Sequence, residues 1–216
     1  MYKKIKICGL TKKREFDLAI SLNIDFVGIV FHKPSIRFIS PDKVSAIIET
    51  LDSELKLVAV VVDASDTDLE KIINNITLFG IQMHGNETIE RVTEVKKRTN
   101  LQIIKAIPIS DKEDILKAKR FEGAADMLLF DSKPNIDSKS PGGNAKSFDW
   151  TLLNGEEWEK PWFLSGGLDI NNINNALSIT KAEYCDVSSG VEITKGKKDL
   201  NLMKNFTKKV RELRNV

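Results

Sequence analysis

Apolar runs and amphipathic stretches alternate eight times along the 216 residues of this chain, and that rhythm constrains the fold more than any single residue does. The runs at 3–9, 25–31, 55–62, 78–84, 101–107, 124–131, 161–164 and 184–187 read as strands. D-F-V-G-I-V-F at 25–31 is apolar almost without alternation, as a parallel strand must be when both its faces are covered. Between the runs, apolar residues recur at helical spacing: Val44, Ile47, Ile48 and Leu51 after the second, Leu69, Ile72, Ile73 and Ile76 after the third, Ile89, Val92 and Val95 after the fourth. Thr11, Ser65, Asn86 and Asp169 are candidate N-caps, Ser40-Pro41 offers a cap with proline at the first helical position, and S-D-K-E from Ser110 reads as a capping box. A last helix starts near Asp199, with Leu202, Met203, Phe206, Val210 and Leu213 on its inner side. Eight strand-then-helix units without a compositional break predict one (β/α)8 TIM barrel over residues 1–216, a single domain. A doubly wound open sheet is the alternative, and the glycine-rich turn it needs after its first strand is missing.

Composition narrows the partners. Lys and Arg number 33 against 31 Asp and Glu, a formal charge of +2, too small and too mixed for a nucleic-acid or anionic-membrane surface. A small molecule is the expected partner. No run approaches the roughly 18 apolar residues of a membrane span, and the start M-Y-K-K-I-K has no apolar signal core. Cys8 and Cys185 have no framework spacing, which points to the reducing cytoplasm and removes any glycosylation meaning from the N-x-T triplets at Asn75, Asn86 and Asn205. His32 and His84 have no partner at i+3 or i+4, so neither a metal nor any other cofactor is expected. Gly190 with Gly196-Lys197 resembles a P-loop, but the spacing is too long and Lys198 stands where Ser or Thr would meet magnesium.

In a barrel the active site gathers at the C-terminal ends of the strands. That rule brings Cys8, His32 with Arg37, Asp63, His84, Asp131, Ser165-Gly166-Gly167 and residues 186–190 to one mouth. In K-I-K-I-C-G, Ile5 and Ile7 face one way, Lys6 and Cys8 the other, and Gly9 ends the strand so that the thiol stands at a rim. Alone, Cys8 reads as a small core residue and Asp131 as an N-cap or Asx-turn residue. Across one mouth they can flank a bound sugar: a thiolate accepts a proton once positive neighbours lower its pKa, and a carboxylic acid in a dry pocket donates one. Gly166-Gly167 after the seventh strand and Ser188-Ser189-Gly190 after the eighth match the place where barrels hold phosphate with backbone N–H groups and a short extra helix. The stretch 132–147, with Pro134, Pro141, Gly142 and Gly143, lacks periodicity and is long enough to be a functional loop.

Read in order, K-I-C-G-L-T (6–11), S-I-R-F-I-S (35–40), Q-M-H-G (82–85), L-L-F-D (128–131), P-G-G-x-x-x-x-F-D-W (141–150), L-S-G-G-L (164–168), D-V-S-S-G-V-E (186–192) and G-K-K-D (196–199) cover essentially the whole chain. With these motifs it resembles the phosphoribosylanthranilate isomerases of tryptophan biosynthesis. The resemblance implies an Amadori rearrangement of N-(5-phosphoribosyl)anthranilate to 1-(2-carboxyphenylamino)-1-deoxyribulose 5-phosphate. By similarity Asp131 is the general acid that protonates the furanose oxygen, and Cys8 the general base that removes the C2′ proton. Arg37 would pair with the anthranilate carboxylate. Backbone N–H groups around Gly143, Gly166, Gly167, Ser189 and Gly190 would hold the phosphate. Asp186 is shared with the family and would either position Cys8 and substrate or only bond at the strand end; His84 would stand behind the reacting groups.

The chain departs from the family at Gly142-Gly143-Asn144-Ala145, where G-G-[TS]-G is usual, and alanine tolerates positive φ poorly. Ser165 stands where alanine is commoner. Two other accounts compete: a different phosphosugar isomerisation on the same barrel, and a phosphosugar-binding barrel without catalysis. Related histidine-pathway barrels resemble one another in carrying aspartate where Cys8 stands, indole-forming ones in a strand-end lysine, and the presence of both Cys8 and Asp131 argues against an inactive scaffold. Helix faces such as those bearing Trp158 and Trp162 leave monomer and homodimer open. An ionised Cys8 working with a protonated Asp131 implies a bell-shaped pH profile.

Overall fold

The computed structural model describes residues 3–133 and 147–213. Its strands are β1 (Lys4–Cys8), β2 (Phe26–Val30), β3 (Leu57–Val61), β4 (Gly80–Met83), β5 (Gln102–Ile109), β6 (Met127–Ser132), β7 (Trp162–Leu164) and β8 (Tyr184–Val187). All neighbours run parallel and the ring is closed in chain order, β8 pairing with β1 with Lys6 opposite Asp186. Helices α1 (Lys13–Ser21), α2 (Pro41–Ile48), α3 (Asp66–Asn75), α4 (Ile89–Thr99) and α5 (Lys112–Lys119) follow the first five strands, α6 (Ile173–Thr180) follows β7 and α7 (Leu200–Glu212) ends the circuit. After β6 the described helix is a single 3₁₀ turn, Trp150–Leu153. No helix among the described residues is long and apolar enough to cross a membrane.

Alternation along the strands divides the interior in two. Ile5, Ile7, Val27, Ile29, Leu128 and Phe130 face outward and join the helices in the large core. Phe26, Val58, Ile104, Met127, Leu129 and Phe163 point inward and fill the lower barrel, with the Phe26 and Phe163 rings edge to face at 5.4 Å. Above them Cys8, Val30 and Val60 form a separate buried cluster that floors the mouth. Both faces of β2 and β3 are buried throughout, which is why their sequences show no alternation.

Ser65 and Asp199 cap α3 and α7 as their positions imply, accepting from Asp68 N–H at 3.2 Å and from Asn201 N–H at 2.8 Å. Four expected caps move. The Glu15 carboxylate reaches back to the N–H groups of Thr11 and Lys12, so α1 begins after Lys12 and Thr11 caps nothing. Asn86 N–H is bound by Asp63, and Thr88 caps α4 instead. Ser110 gives its N–H and its hydroxyl to Asp114, leaving Asp111 as the cap of α5. Asp169 caps a tight turn of its own, and α6 begins beyond it behind Asn172. At α4 and α5 two acceptors lay one or two residues apart, Asn86 with Thr88 and Ser110 with Asp111, and tertiary contacts chose between them. Trp158 and Trp162 do not lie on a helix: both rings pack on Phe130, with centroids 4.6 and 5.2 Å away.

One element went unanticipated. Between β8 and α7 a 3₁₀ turn, Ser189–Val191, leads into a hairpin of β9 (Glu192–Thr194) and β10 (Lys197–Lys198).

Candidate active site

At the C-terminal ends of the strands a mouth opens that encloses about 670 Å³ of space, open solvent included. Cys8, His32, Arg37, His84, Asp131, Ser165, Gly166, Gly167, Asp186 and Ser189 all line it. Asp63 does not. It sits at φ 45° and binds Asn86 N–H at 2.8 Å, a clamp between the loops after β3 and β4. Gly190 backs the wall: a Cβ there would collide with the Leu168 carbonyl, so the loops after β7 and β8 lie against each other. Gly143 and its neighbours from Gly142 to Ala145 lie outside the described residues.

Cys8 occupies the rim because Gly9 turns the chain at φ 82°, and a Cβ on Gly9 would stand 2.6 Å from Arg37 Cδ. The stem of Arg37 therefore rests on the turn that ends β1. Its guanidinium is held from behind, Nε and Nη2 donating to the two oxygens of Glu192 at 2.7 and 2.8 Å. Lys198 Nζ binds the same carboxylate at 2.6 Å and the Ser188 carbonyl at 3.0 Å, while Ser188 Oγ donates to the Cys8 carbonyl at 3.0 Å. Burial pushes the Glu192 carboxyl up, but the bonds from Arg37 and Lys198 outweigh it and hold it at about 2.

Below Cys8, Lys6 is wholly buried and its Nζ lies 3.0 Å from Asp186 Oδ1. Burial disfavours the ammonium, yet the Asp186 carboxylate overcomes this and holds Lys6 above its ordinary value. Cys8 goes the other way from the sequence expectation. Burial pushes its thiol up, and the nearby cations Lys6, Lys198 and Arg37 only partly offset this. Removing a thiolate from water costs more than these partners return in the free mouth.

Asp131, at the end of β6, accepts Ser132 N–H on Oδ1 at 2.8 Å. Its other oxygen lies 3.3 Å from His84 Nε2, and His84 Nδ1 is 2.8 Å from Gln82 Nε2. The loop carrying His84 is anchored on the barrel's outside, where Lys105 Nζ binds Glu87 and the carbonyls of Met83 and Gly85. Sequence reading passed over Lys6, Gln82, Glu192 and Lys198. A lysine on the inward face of a barrel strand is a usable signal for the first; Glu192 and Lys198 stand within the motifs D-V-S-S-G-V-E and G-K-K-D, but nothing local showed that a hairpin aims them at Arg37.

A closed (β/α)8 barrel whose mouth collects a thiol from β1, a carboxyl from β6 and the glycine turn after β7 defines a TIM-barrel protein with a site for a small molecule. The family model for N-(5'-phosphoribosyl)anthranilate (PRA) isomerase matches residues 5–209, and the chain belongs to that family. It is 39% identical to the N-(5'-phosphoribosyl)anthranilate isomerase of Paramagnetospirillum magneticum over 96% of this chain and 97% of that one. Against the Sinorhizobium fredii isomerase identity is 41%, over 96% and 92%. Among solved structures, phosphoribosyl anthranilate isomerase from Thermotoga maritima superposes with a TM-score of 0.86 at 30% identity, over 99% of this chain and 100% of that one. A second, in complex with reduced 1-(o-carboxyphenylamino)-1-deoxyribulose 5-phosphate, gives 0.82 at 29%, over the same shares. The chain is thus an isomerase of tryptophan biosynthesis.

Proposed function

We propose that Asp131 and Cys8 are the proton donor and acceptor of this isomerase, the carrying observation being that both line one mouth, Cys8 from β1 and Asp131 from β6, with β7 and β8 between those strands. Asp131 gives its proton to the furanose oxygen as the C1′–O bond breaks, and the anthranilate nitrogen's lone pair forms a C=N⁺ bond. Cys8 as thiolate takes the proton from C2′, and the C–H electron pair becomes the C1′–C2′ double bond of an enolamine that tautomerises to the ketone. Burial that raises the thiol's pKa also makes its thiolate a stronger base. The cationic C=N⁺ bond arising beside it joins Lys6 in favouring that thiolate.

Arg37, with Nε and Nη2 engaged by Glu192, presents its remaining edge to the anthranilate carboxylate, a planar fork matched to that group. The backbone around Gly166, Gly167, Ser189 and Gly190 takes the phosphate, φ values of 85° and 67° at Gly166 and Gly167 forming a turn that side-chain-bearing residues resist. Gly143 would add its N–H. Asp186 acts through Lys6, keeping that ammonium charged under Cys8. The ligand bound by the solved relative, a reduced product, supports a phosphosugar with an aromatic carboxylate as substrate. Two free cysteines accord with a cytoplasmic setting. A monomer or homodimer is expected, the Thermotoga maritima relative being dimeric.

The test is loss of fluorescence when freshly formed phosphoribosylanthranilate meets purified protein, with Cys8→Ala and Asp131→Asn beside it. Turnover lowered by each change at least about 100-fold supports both roles. Wild-type rates in either variant would remove that residue's role.

A further inference from the structure

Behind Asp131 stand two side chains that the steps above leave idle. Gln82 is wholly buried with its Nε2 2.8 Å from His84 Nδ1, and His84 Nε2 faces Asp131 Oδ2 at 3.3 Å. Gln82 Oε1 is buried without a partner among the described residues, so the carboxamide is spent wholly on His84. With the amide N–H donating to Nδ1, the neutral imidazole carries its proton on Nε2 and aims it at Asp131; this tautomer follows from the hydrogen-bond network. Were the amide turned over, its oxygen would accept from Nδ1–H and a bare Nε2 would draw the Asp131 proton away from the sugar.

We infer that His84, held in its Nε2–H tautomer by Gln82, is the positioning residue of the general acid, and donates to the carboxylate that Asp131 becomes. The inference rests on Asp131 being that acid. As the proton passes to the furanose oxygen and the C1′–O pair stays on that oxygen, the new negative charge meets two donors already in place, Ser132 N–H and His84 Nε2–H. His84 keeps its proton, so the step needs no further reactant. Preset donors of this kind stabilise charge as it develops without reorganising.

Among the described residues, the other ionisable groups that line the mouth with Asp131 and His84 are Cys8, His32, Arg37 and Asp186, with Lys6 beneath. Lys105 on the neighbouring β5 turns outward to Glu87, and Lys133 binds Asp114 at 2.8 Å.

The chain holds two histidines, so nitrogen-15 spectra of histidine-labelled protein, with His32→Asn for assignment, read the tautomer of His84 directly. At neutral pH the expected state is neutral with the proton on Nε2, giving way to a tautomer mixture in Gln82→Met. In His84→Ala, kcat should fall about 10- to 100-fold with KM little changed. The limb of the pH–rate profile governed by Asp131 should move to higher pH, since its carboxylate loses a donor, while the Cys8 limb stays. His84→Gln, which returns an N–H near the lost one, should recover part of the rate. An Nδ1–H tautomer, an imidazolium at neutral pH, or a His84→Ala profile superposable on wild type would overturn the inference. Asp131→Asn separates the failures: if it turns over normally the acid assignment falls, whereas if it is inactive and His84→Ala behaves as wild type only the role of His84 falls.

Discussion

A methyl group on Gly28 would land 2.7 Å from Cys8 Sγ and 3.0 Å from Lys6 Nζ. Gly28 lies opposite Cys8 in the β1–β2 register, so the space a side chain would fill is where the thiol and the ammonium approach each other. The loss of strand stability that glycine brings is accepted here for that approach. Gly28→Ala should displace both groups, costing about 1 to 3 kcal/mol in urea unfolding and at least tenfold in turnover. An alanine variant with wild-type rate would show that Lys6 does not act on Cys8 through this contact. Residue types at this scale were readable: Cys8, Arg37, Asp131, Gly166 and Gly167 line one mouth as their strand positions imply, while Gly190 backs its wall. The protonation of Cys8 was not, because burial, which outweighs the cations around it, is a property of the closed barrel.

The hairpin of β9 and β10 has no counterpart in the strand-then-helix pattern, yet it carries Glu192 and Lys198 to the back of Arg37. Its strands are three and two residues long, below the length at which period-two alternation can be read. Glu192→Gln should leave Arg37 without its charge-assisted fork, raising KM about tenfold while kcat changes much less. The pH dependence of stability follows from the same carboxyl. Its folded value, about 2, lies below the ordinary 4.5, so the stabilisation is full above 4.5 and drains away as pH falls towards 2. Urea midpoints for wild type and Glu192→Gln should therefore differ at pH 7 and converge near pH 2. Equal midpoints at pH 7 would contradict the assigned pairing. The capping residues tell the complementary story: α4 forms where the spacing of Ile89, Val92 and Val95 places it, and only its cap shifted, from Asn86 to Thr88.

At the scale of the molecule, the seam where β8 meets β1 is stitched from inside by Lys6 and Asp186, 180 residues apart in the chain. Removing one partner leaves a charge buried and unpaired, so Lys6→Met or Asp186→Leu alone should cost about 3 to 5 kcal/mol in urea unfolding. The double variant should regain most of this while losing activity, since an apolar pair fills the barrel but gives Cys8 no cation. Single variants costing under about 1 kcal/mol would show that the seam does not depend on the pair. The sequence by itself determined the barrel, its strand order and which residues could reach the mouth, because those follow from local periodicity and the alternation of strand faces. Tertiary structure alone decided that Lys6 meets Asp186, that Glu192 grips Arg37 and that His84 turns its Nε2 to Asp131. Such pairings depend on side chains distant in sequence converging in a space from which water is excluded, and local periodicity carries no record of that distance.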